Sequence, residues 1–160
     1  MERTLILAKP DAVQRGLVGE IITRFERKGL KLIGLKMISV DDEILEQHYS
    51  HLTDKPFFSG IKSFMKSSPL VAMAWEGYEC TASVRVIVGA TNPRAADAGT
   101  IRGDFAMGQG RNLIHASDNA ESGMTEVERF FSGAELFSYD KSEYLHVYED
   151  NEREGRPQVS

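Results

Sequence analysis

The chain has 160 residues, 41% of them hydrophobic and 27% charged, with 19 basic against 24 acidic side chains and a net charge of −5. A chain of this size can build a core of its own, and its balance excludes both a disordered polymer and a protein that coats nucleic acid through bulk charge. The single cysteine, Cys80, excludes an intramolecular disulfide and any CxxC zinc or redox motif. The apolar run Leu5–Ala8 is too short for a secretory signal, and no stretch is long enough to span a membrane, so a cytoplasmic domain is expected. Charge is unevenly spread. Residues 1–40 carry +4, 41–83 carry −4, 84–112 carry +2 and 113–160 carry −7, which directs the search for an anionic ligand to the first and third segments.

In chain order, Thr4–Ala8 reads as a buried strand that stops at Lys9-Pro10. Val18, Ile21, Ile22 and Phe25 stand at helical spacing, and Gly29 supplies a left-handed stop. Lys31–Val40 reads as a strand. Asp41 and Asp42 can cap a helix carrying Ile44, Leu45, His48 and Leu52. Ile61, Phe64 and Met65 mark a short helix before Pro69, and Leu70–Trp75 a further strand. Residues 80–89 favour a strand by propensity, through Val84, Val86, Ile87 and Val88. Thr91–Asn112 has no clear period and reads either as a long, functional loop or as a segment whose elements the pattern misses. Leu113-Ile114 is a brief apolar pair. Thr125 and Glu128 have capping-box spacing ahead of an apolar helix face formed by Val127, Phe130 and Phe131. Tyr144–Tyr148 alternates like an edge strand. Residues 1–150 are expected to form one domain and the polar residues 151–160 a loose tail. Strands separated by helices give an α/β or α+β chain, and the pattern fits a split, ferredoxin-like βαββαβ core: a four-stranded antiparallel sheet with surrounding helices.

Several familiar sites are absent. Gly103 to Gly108 has the glycine spacing of a phosphate loop but is followed by Gln109-Gly110 instead of Lys-Ser/Thr. Gly108-Gln109-Gly110 opens like a dinucleotide fingerprint, yet Leu113 occupies the place of its third glycine, and no Gly-x-Ser-x-Gly elbow exists. His48 and His51 lack a third metal ligand nearby in sequence and read as surface residues. The segment Gly110–Asp118 is different. It gathers Arg111, Asn112, His115, Ser117 and Asp118 around a two-residue apolar anchor, with Thr100–Asp104 just upstream. A histidine in such a setting can serve as a nucleophile or a general acid/base, because imidazole titrates near neutrality, or it can simply be satisfied by a neighbouring carboxylate.

Six blocks in order carry a resemblance. They are Lys9-Pro10-Asp11 with Val13–Gly16, His48-Tyr49, Lys55–Phe58, Gly89–Pro93, Gly99–Asp104 and Gly110–Asp118. From about Arg3 to Asp150 the chain resembles the nucleoside diphosphate kinases. The resemblance implies a ping-pong transfer of the γ-phosphoryl group from a nucleoside triphosphate to a nucleoside diphosphate through a phosphohistidine on His115. It implies that Glu126 accepts a hydrogen bond from the other ring nitrogen. Lys9, Arg85 and Arg102 would bind phosphates, Thr91 the β-phosphate, and Tyr49 and Lys9 would approach the transferred group. Asn112 and Lys9 would bind the ribose hydroxyl, Phe57 would stack on the base, and Ser117 would bond to Glu126 or the histidine loop. Mg²⁺ would arrive on the nucleotide phosphates with no metal site in the protein. The family fold also makes residues 80–89 a helix, against their propensity. Glu126 reads in addition as a first-turn acid favoured by a helix dipole. The partners implied are nucleoside tri- and diphosphates and further copies of the chain, in a homohexamer or a tetramer, joined through the Thr91–Asn112 loop.

Three positions depart from the family pattern. Gln109 stands where an apolar residue usually faces the base, Ala116 replaces the glycine after the nucleophile, and Ala90 stands where some relatives carry an acid. The competing reading is a binding module, since ferredoxin-like folds also bind single-stranded RNA or small regulatory ligands. The expected central strands, Leu32–Met37 and Leu70–Trp75, carry one aromatic, which opposes the RNA reading, as does the acidic charge.

Overall fold

The structure is a computed structural model that describes residues 1–153. Four strands form one antiparallel sheet in the order β2-β3-β1-β4: β1 (Glu2–Ala8), β2 (Lys31–Ile38), β3 (Leu70–Gly77) and β4 (Ile114–Ala116). This is the strand order of the expected ferredoxin-like core. The crossover from β1 to β2 contains α1 (Pro10–Gln14) and α2 (Val18–Lys28), and that from β3 to β4 contains α5 (Cys80–Val88) and α6 (Ile101–Phe105). Two further helices, α3 (Asp42–His48) and α4 (Phe58–Met65), are inserted between β2 and β3. After β4 come α7 (Ala120–Phe130) and a short α8 (Asp150–Arg153). Most of the expected 151–160 tail lies outside the described residues.

Both faces of the sheet are covered, which explains why β3 is buried along its whole length and reads as a continuous apolar run. Alternate strand residues divide between two cores. Ile6, Ala8, Val71, Met73 and Trp75 pack against Ile21 and Phe25 of α2 and Val84 and Val88 of α5, with the Phe25 and Trp75 rings 5.4 Å apart. Leu5, Leu7, Leu70, Ala72 and Ala74 pack on the other side against Leu45, Met65, Val127 and Phe130. Gly29, at φ 98°, ends α2 in the left-handed conformation that glycine adopts without a Cβ penalty. Asp41 caps α3 by accepting a bond from the Ile44 amide at 2.9 Å.

Four local expectations are corrected. Residues 80–88 are helical as α5, as the family resemblance implied and the β-branched composition did not. Their burial has a helical period, with Cys80, Thr81, Val84 and Val88 inward and Val86 75% exposed, so packing overrides propensity. Residues 144–148 are not an edge strand. Ser142–His146 is a 3₁₀ turn, the Tyr144 and Tyr148 rings meet edge to face across one helical turn, and the fourth strand is formed instead by Ile114, the second residue of the brief apolar pair, with His115 and Ala116. Thr125 and Glu128 do not cap α7. Asn119 does, accepting from Ser122 N at 2.8 Å, while Thr125 lies mid-helix and bonds the Glu121 carbonyl. A capping box does occur, at Ser132 and Glu135. Glu126 consequently stands in the middle of α7, beyond the reach of a first-turn dipole effect.

The Thr91–Asn112 segment contains a 3₁₀ turn at Pro93–Ala95 and α6, and it is braced by arginines of α2, of the turn after α1 and of the segment itself. Arg24 binds Gly99 O and Asp104 at 2.7 Å each, Arg15 binds Phe105 O and Arg94 binds Met107 O.

Candidate active site

β4 is three residues long, yet its register decides where His115 points. His115 pairs with Leu7 across an antiparallel ladder, and directly opposed residues share a face. Ile114 and Ala116 therefore enter the α2/α5 core and His115 faces the opposite way, toward α3 and α7. The strand entry is tightly held. Leu113 is fully buried with φ 71°, a conformation unfavourable for a branched side chain. It is fixed by Lys9 N donating to Leu113 O at 2.9 Å and by Leu113 N donating to the Asp11 carboxylate at 3.0 Å. The β1 terminus and the first turn of α1 thus clamp the histidine segment.

α7 brings Glu126 to this face. Gly123, one turn earlier, lies flat on β1: a Cβ there would stand 2.5 Å from Arg3 O and 3.3 Å from Thr4 Cα. At this close approach the Glu126 carboxylate accepts a hydrogen bond from His115 Nε2. A carboxylate is an acceptor only, so Nε2 carries the ring proton and Nδ1 keeps its lone pair. His115 borders a cavity of about 450 Å³.

Eight of the residues expected from the sequence line that cavity: Lys9, Tyr49, Arg85, Thr91, Arg102, Asn112, His115 and Glu126. Lys9 Nζ donates to Asn112 Oδ1 at 2.8 Å, and Asn112 Nδ2 donates to Thr91 O at 3.2 Å, so three chain segments are tied at one edge. Burial, then the neighbouring Arg102, brings Lys9 down to about 8, against the opposing pull of Asp11. Arg102 is 5% exposed and donates to three carbonyls, those of Asn112, Gly89 and Ile114. It is therefore a strut for the histidine segment as well as a cation facing the cavity, and burial with the nearby Arg85 brings it down to about 10. Three of its five N–H groups are committed and two are free. Arg85 reaches Asp118 at 3.2 Å. Burial, reinforced by Glu126, pushes the Tyr49 phenol up to about 12, so it stays a hydroxyl donor at neutral pH.

Two expected residues are placed elsewhere. Ser117 does not bond Glu126. It is fully buried and exchanges bonds with the Leu5 backbone, accepting from Leu5 N at 3.1 Å, so it locks β4 to β1. Phe57 lies outside the cavity wall, at the N-cap of α4, with 54% of its surface exposed.

Sequence reasoning missed three residues. Asp11 anchors the Leu113 amide. His48, expected at the surface, is buried, with its ring 4.4 Å from that of His115 and nearly perpendicular to it. Arg129 lines the cavity and donates to His48 Nδ1 at 3.1 Å. A helical wheel through Glu126 offered one signal, since Arg129 follows at i+3 on the same face. His48, His115 and Glu126 bring ligand atoms within 4.8 Å of one another. The guanidinium at His48 and the cations Lys9 and Arg102 oppose a metal ion there, and we read the group as a proton-holding pair beside a second imidazole. Of the other cavity carboxylates, Asp118 and Glu121, the first is engaged by Arg85. Those are too few hard donors for a protein-held Mg²⁺ octahedron, and they suit a Mg²⁺ that enters already held by phosphate oxygens.

The chain is similar to known proteins over nearly its whole length. The nucleoside diphosphate kinase family model matches residues 2–136. A nucleoside diphosphate kinase of Carboxydothermus hydrogenoformans is 52% identical over 149 residues, covering 93% of this chain and all of that protein. Nucleoside diphosphate kinase A of Rattus norvegicus is 51% identical over 148 residues, covering 92% and 97%. Among solved structures, the nucleoside diphosphate kinase of Halobacterium salinarum in complex with CDP superposes with a TM-score of 0.90 at 47% identity, covering 92% of this chain and 99% of that one. Among the described residues no helix is long and apolar enough to cross a membrane. On the family match and the identities over nearly the whole length, the chain belongs to the nucleoside diphosphate kinase family.

Proposed function

We propose that this protein transfers the γ-phosphoryl group of a nucleoside triphosphate to a nucleoside diphosphate through a phosphohistidine on His115. The observation that carries the reading is His115 itself: its Nε2 is held by Glu126, and its Nδ1 keeps a lone pair beside a cavity lined by Lys9, Arg85 and Arg102. Nδ1 attacks the γ-phosphorus and the bond from phosphorus to the β–γ bridging oxygen breaks. The nucleoside diphosphate departs with that electron pair. The proton on Nε2 stays against Glu126, whose negative charge balances the positive charge developing on the ring. A second diphosphate then attacks phosphorus from its terminal oxygen and the electrons return to Nδ1.

Phosphoryl transfer demands positioning and charge neutralisation more than covalent help. Lys9 and Tyr49 donate toward the transferred group, Arg85, Arg102 and Thr91 hold the other phosphates, and Lys9 and Asn112 orient the ribose. The exposed Phe57 ring offers a stacking face for the base. Mg²⁺, carried on the phosphates, supplies the remaining neutralisation. Cytoplasmic nucleoside di- and triphosphates are the proposed substrates, and the buried free thiol of Cys80 suits a reducing compartment.

Incubation with ATP and Mg²⁺ alone, followed by mass measurement, tests the reading. One phosphate per chain is expected, stable to base and labile to acid. An unmodified chain, or one modified on serine, would overturn it. We further propose a homo-oligomer, a hexamer rather than a tetramer. Apolar exposure on the edge strand supports association, with Leu35 at 50% and Met37 at 63%. Light scattering that finds only monomer across a wide concentration range would refute it, and a tetramer would refute the hexamer alone.

A further inference from the structure

Glu126 has two imidazoles within reach. Its Oε1 accepts from His115 Nε2, and His48 Nδ1 lies 3.7 Å from the same oxygen. Were His48 to carry a proton on Nδ1, it would become a second donor to that oxygen. The carboxylate would then be shared, and less of its charge would serve the ring that accepts the phosphoryl group. What prevents this is Arg129. A guanidinium has donors only, and Arg129 Nη1 stands 3.1 Å from His48 Nδ1. Nδ1 must therefore present a lone pair, and the ring proton resides on Nε2.

That choice is unfavourable for His48 by itself. Its side chain is 2% exposed and its Nε2 is buried with no hydrogen-bond partner among the described residues. An unpaired buried donor costs free energy, and here it accompanies a bond made one turn from the catalytic carboxylate. The surroundings add to the effect. The charged and titratable groups that face His48 are Arg129 and Glu126 of α7, His115 of β4, Lys9 beyond β1 and His51 of the turn after α3, with Tyr49 edge-on at 4.9 Å. Burial is the largest influence, and with the nearby cations it brings His48 down to about 2.

We propose that Arg129 is a positioning residue for the phosphoryl transfer: through its bond to Nδ1 it holds His48 as an uncharged Nε2–H imidazole, so that Glu126 serves His115 alone. This rests on the reading of His115 as nucleophile. In this role Arg129 acts through His48.

The test uses the full-length wild type, R129L, R129K, H48F and the double variant H48F/R129L. Nitrogen-15 chemical shifts of the His48 ring in the nucleotide-free wild type are expected to show a lone-pair nitrogen at Nδ1 and a protonated one at Nε2. In R129L, with no donor held against Nδ1, the ring proton is expected to move to Nδ1, where Glu126 Oε1 lies 3.7 Å away. The exchange rate of R129L is expected to fall about tenfold at neutral pH, in the range seen when groups that orient a catalytic ligand are removed. The loss should fall on kcat, with KM for ATP nearly unchanged. R129K retains a donor-only cation and should recover most of the rate. In the H48F background, R129L should shift nothing further, because the residue through which Arg129 acts is gone. A proton on His48 Nδ1 in the wild type, an R129L ring that keeps its proton on Nε2, or an equal loss of rate in the H48F background would each overturn the proposal. Failure of the wild type to form phosphohistidine would instead overturn the function on which it rests, while the ring shifts would still report the tautomer.

Discussion

Lys9 carries its charge into a place where two forces oppose it. Burial and Arg102 bring it from 10.5 to about 8, while Asp11 resists. Between about pH 8 and 10.5 the unfolded chain binds the proton that the folded chain has lost, so this group's contribution to stability rises with pH through that window and is unfavourable below it. Lys9→Met should therefore raise the melting temperature of the nucleotide-free protein at pH 7 while removing exchange activity. Calorimetry checks the first point, and a lower melting temperature would mean that the bond to Asn112 outweighs the burial. In the wild type, KM for ATP should climb above pH 8 as the free enzyme loses this cation. The histidine pair makes a second prediction. His115→Ala should abolish exchange and phosphoenzyme while nucleotide binding by calorimetric titration persists, because phosphate and ribose contacts come from other residues. Glu126→Gln should be milder, with a loss on the order of ten- to a thousandfold. The amide oxygen still accepts the ring N–H, but the balancing charge is gone. A Ser117→Ala variant that lost phosphorylation while His115→Ala kept it would displace the nucleophile from His115.

At the scale of elements, the site depends on how closely α7 approaches the β1/β4 pair. Gly123 permits that approach. Gly123→Ala puts a methyl against the Arg3 carbonyl, and backbone on that side cannot yield as a flexible side chain would. The helix should lift, costing about 1–3 kcal/mol of stability and lowering the melting temperature by roughly 2–12 °C in a domain of this size. Because Glu126 rides on the same helix, exchange activity should fall as well. Unchanged melting and turnover would show that α7 shifts without consequence. The same dependence explains what was legible locally. The α2 stripe, its Gly29 stop and the Asp41 cap use interactions within one turn of chain, and they were readable as sequence pattern. β4 was not, because three residues have too little period to register and become a strand only by pairing with Ile6, Leu7 and Ala8. Residues 80–88 misled by propensity, since a β-branched run becomes helical once Val84 and Val88 are buried against the sheet.

For the molecule as a whole, an acidic chain of net charge −5 holds a cavity lined by four cations, Lys9, Arg85, Arg102 and Arg129. The summed field repels polyanions in general while the local field favours a small one. Base recognition is the weak point of such a site. In the proposed reading the base stacks on Phe57, whose exposed ring face every base can use, and stacking discriminates little. ATP, GTP, CTP and UTP should therefore serve as donors with similar efficiency. A preference beyond about a hundredfold, or about 2.7 kcal/mol, would require a hydrogen-bonding reader, and Gln109 is the side chain to examine first.

The sequence alone determined the fold class, the strands β1 to β3 and the helices α2, α3 and α4 between them, because hydrophobic period and turn residues act over a few positions. Together with the ordered family blocks it also singled out eight residues that meet at one cavity. Only the tertiary structure decided which of the remaining polar residues belong with them. Ser117 sits two residues from His115, but strand alternation does not predict a bond back to Leu5. His48 and Arg129 are 81 positions apart and come into contact because α3 and α7 pack on the same face of the sheet. Asp11 reaches Leu113 across 102 positions because β1 ends beside β4. Contacts of that separation depend on which elements pack side by side, and no local pattern encodes them.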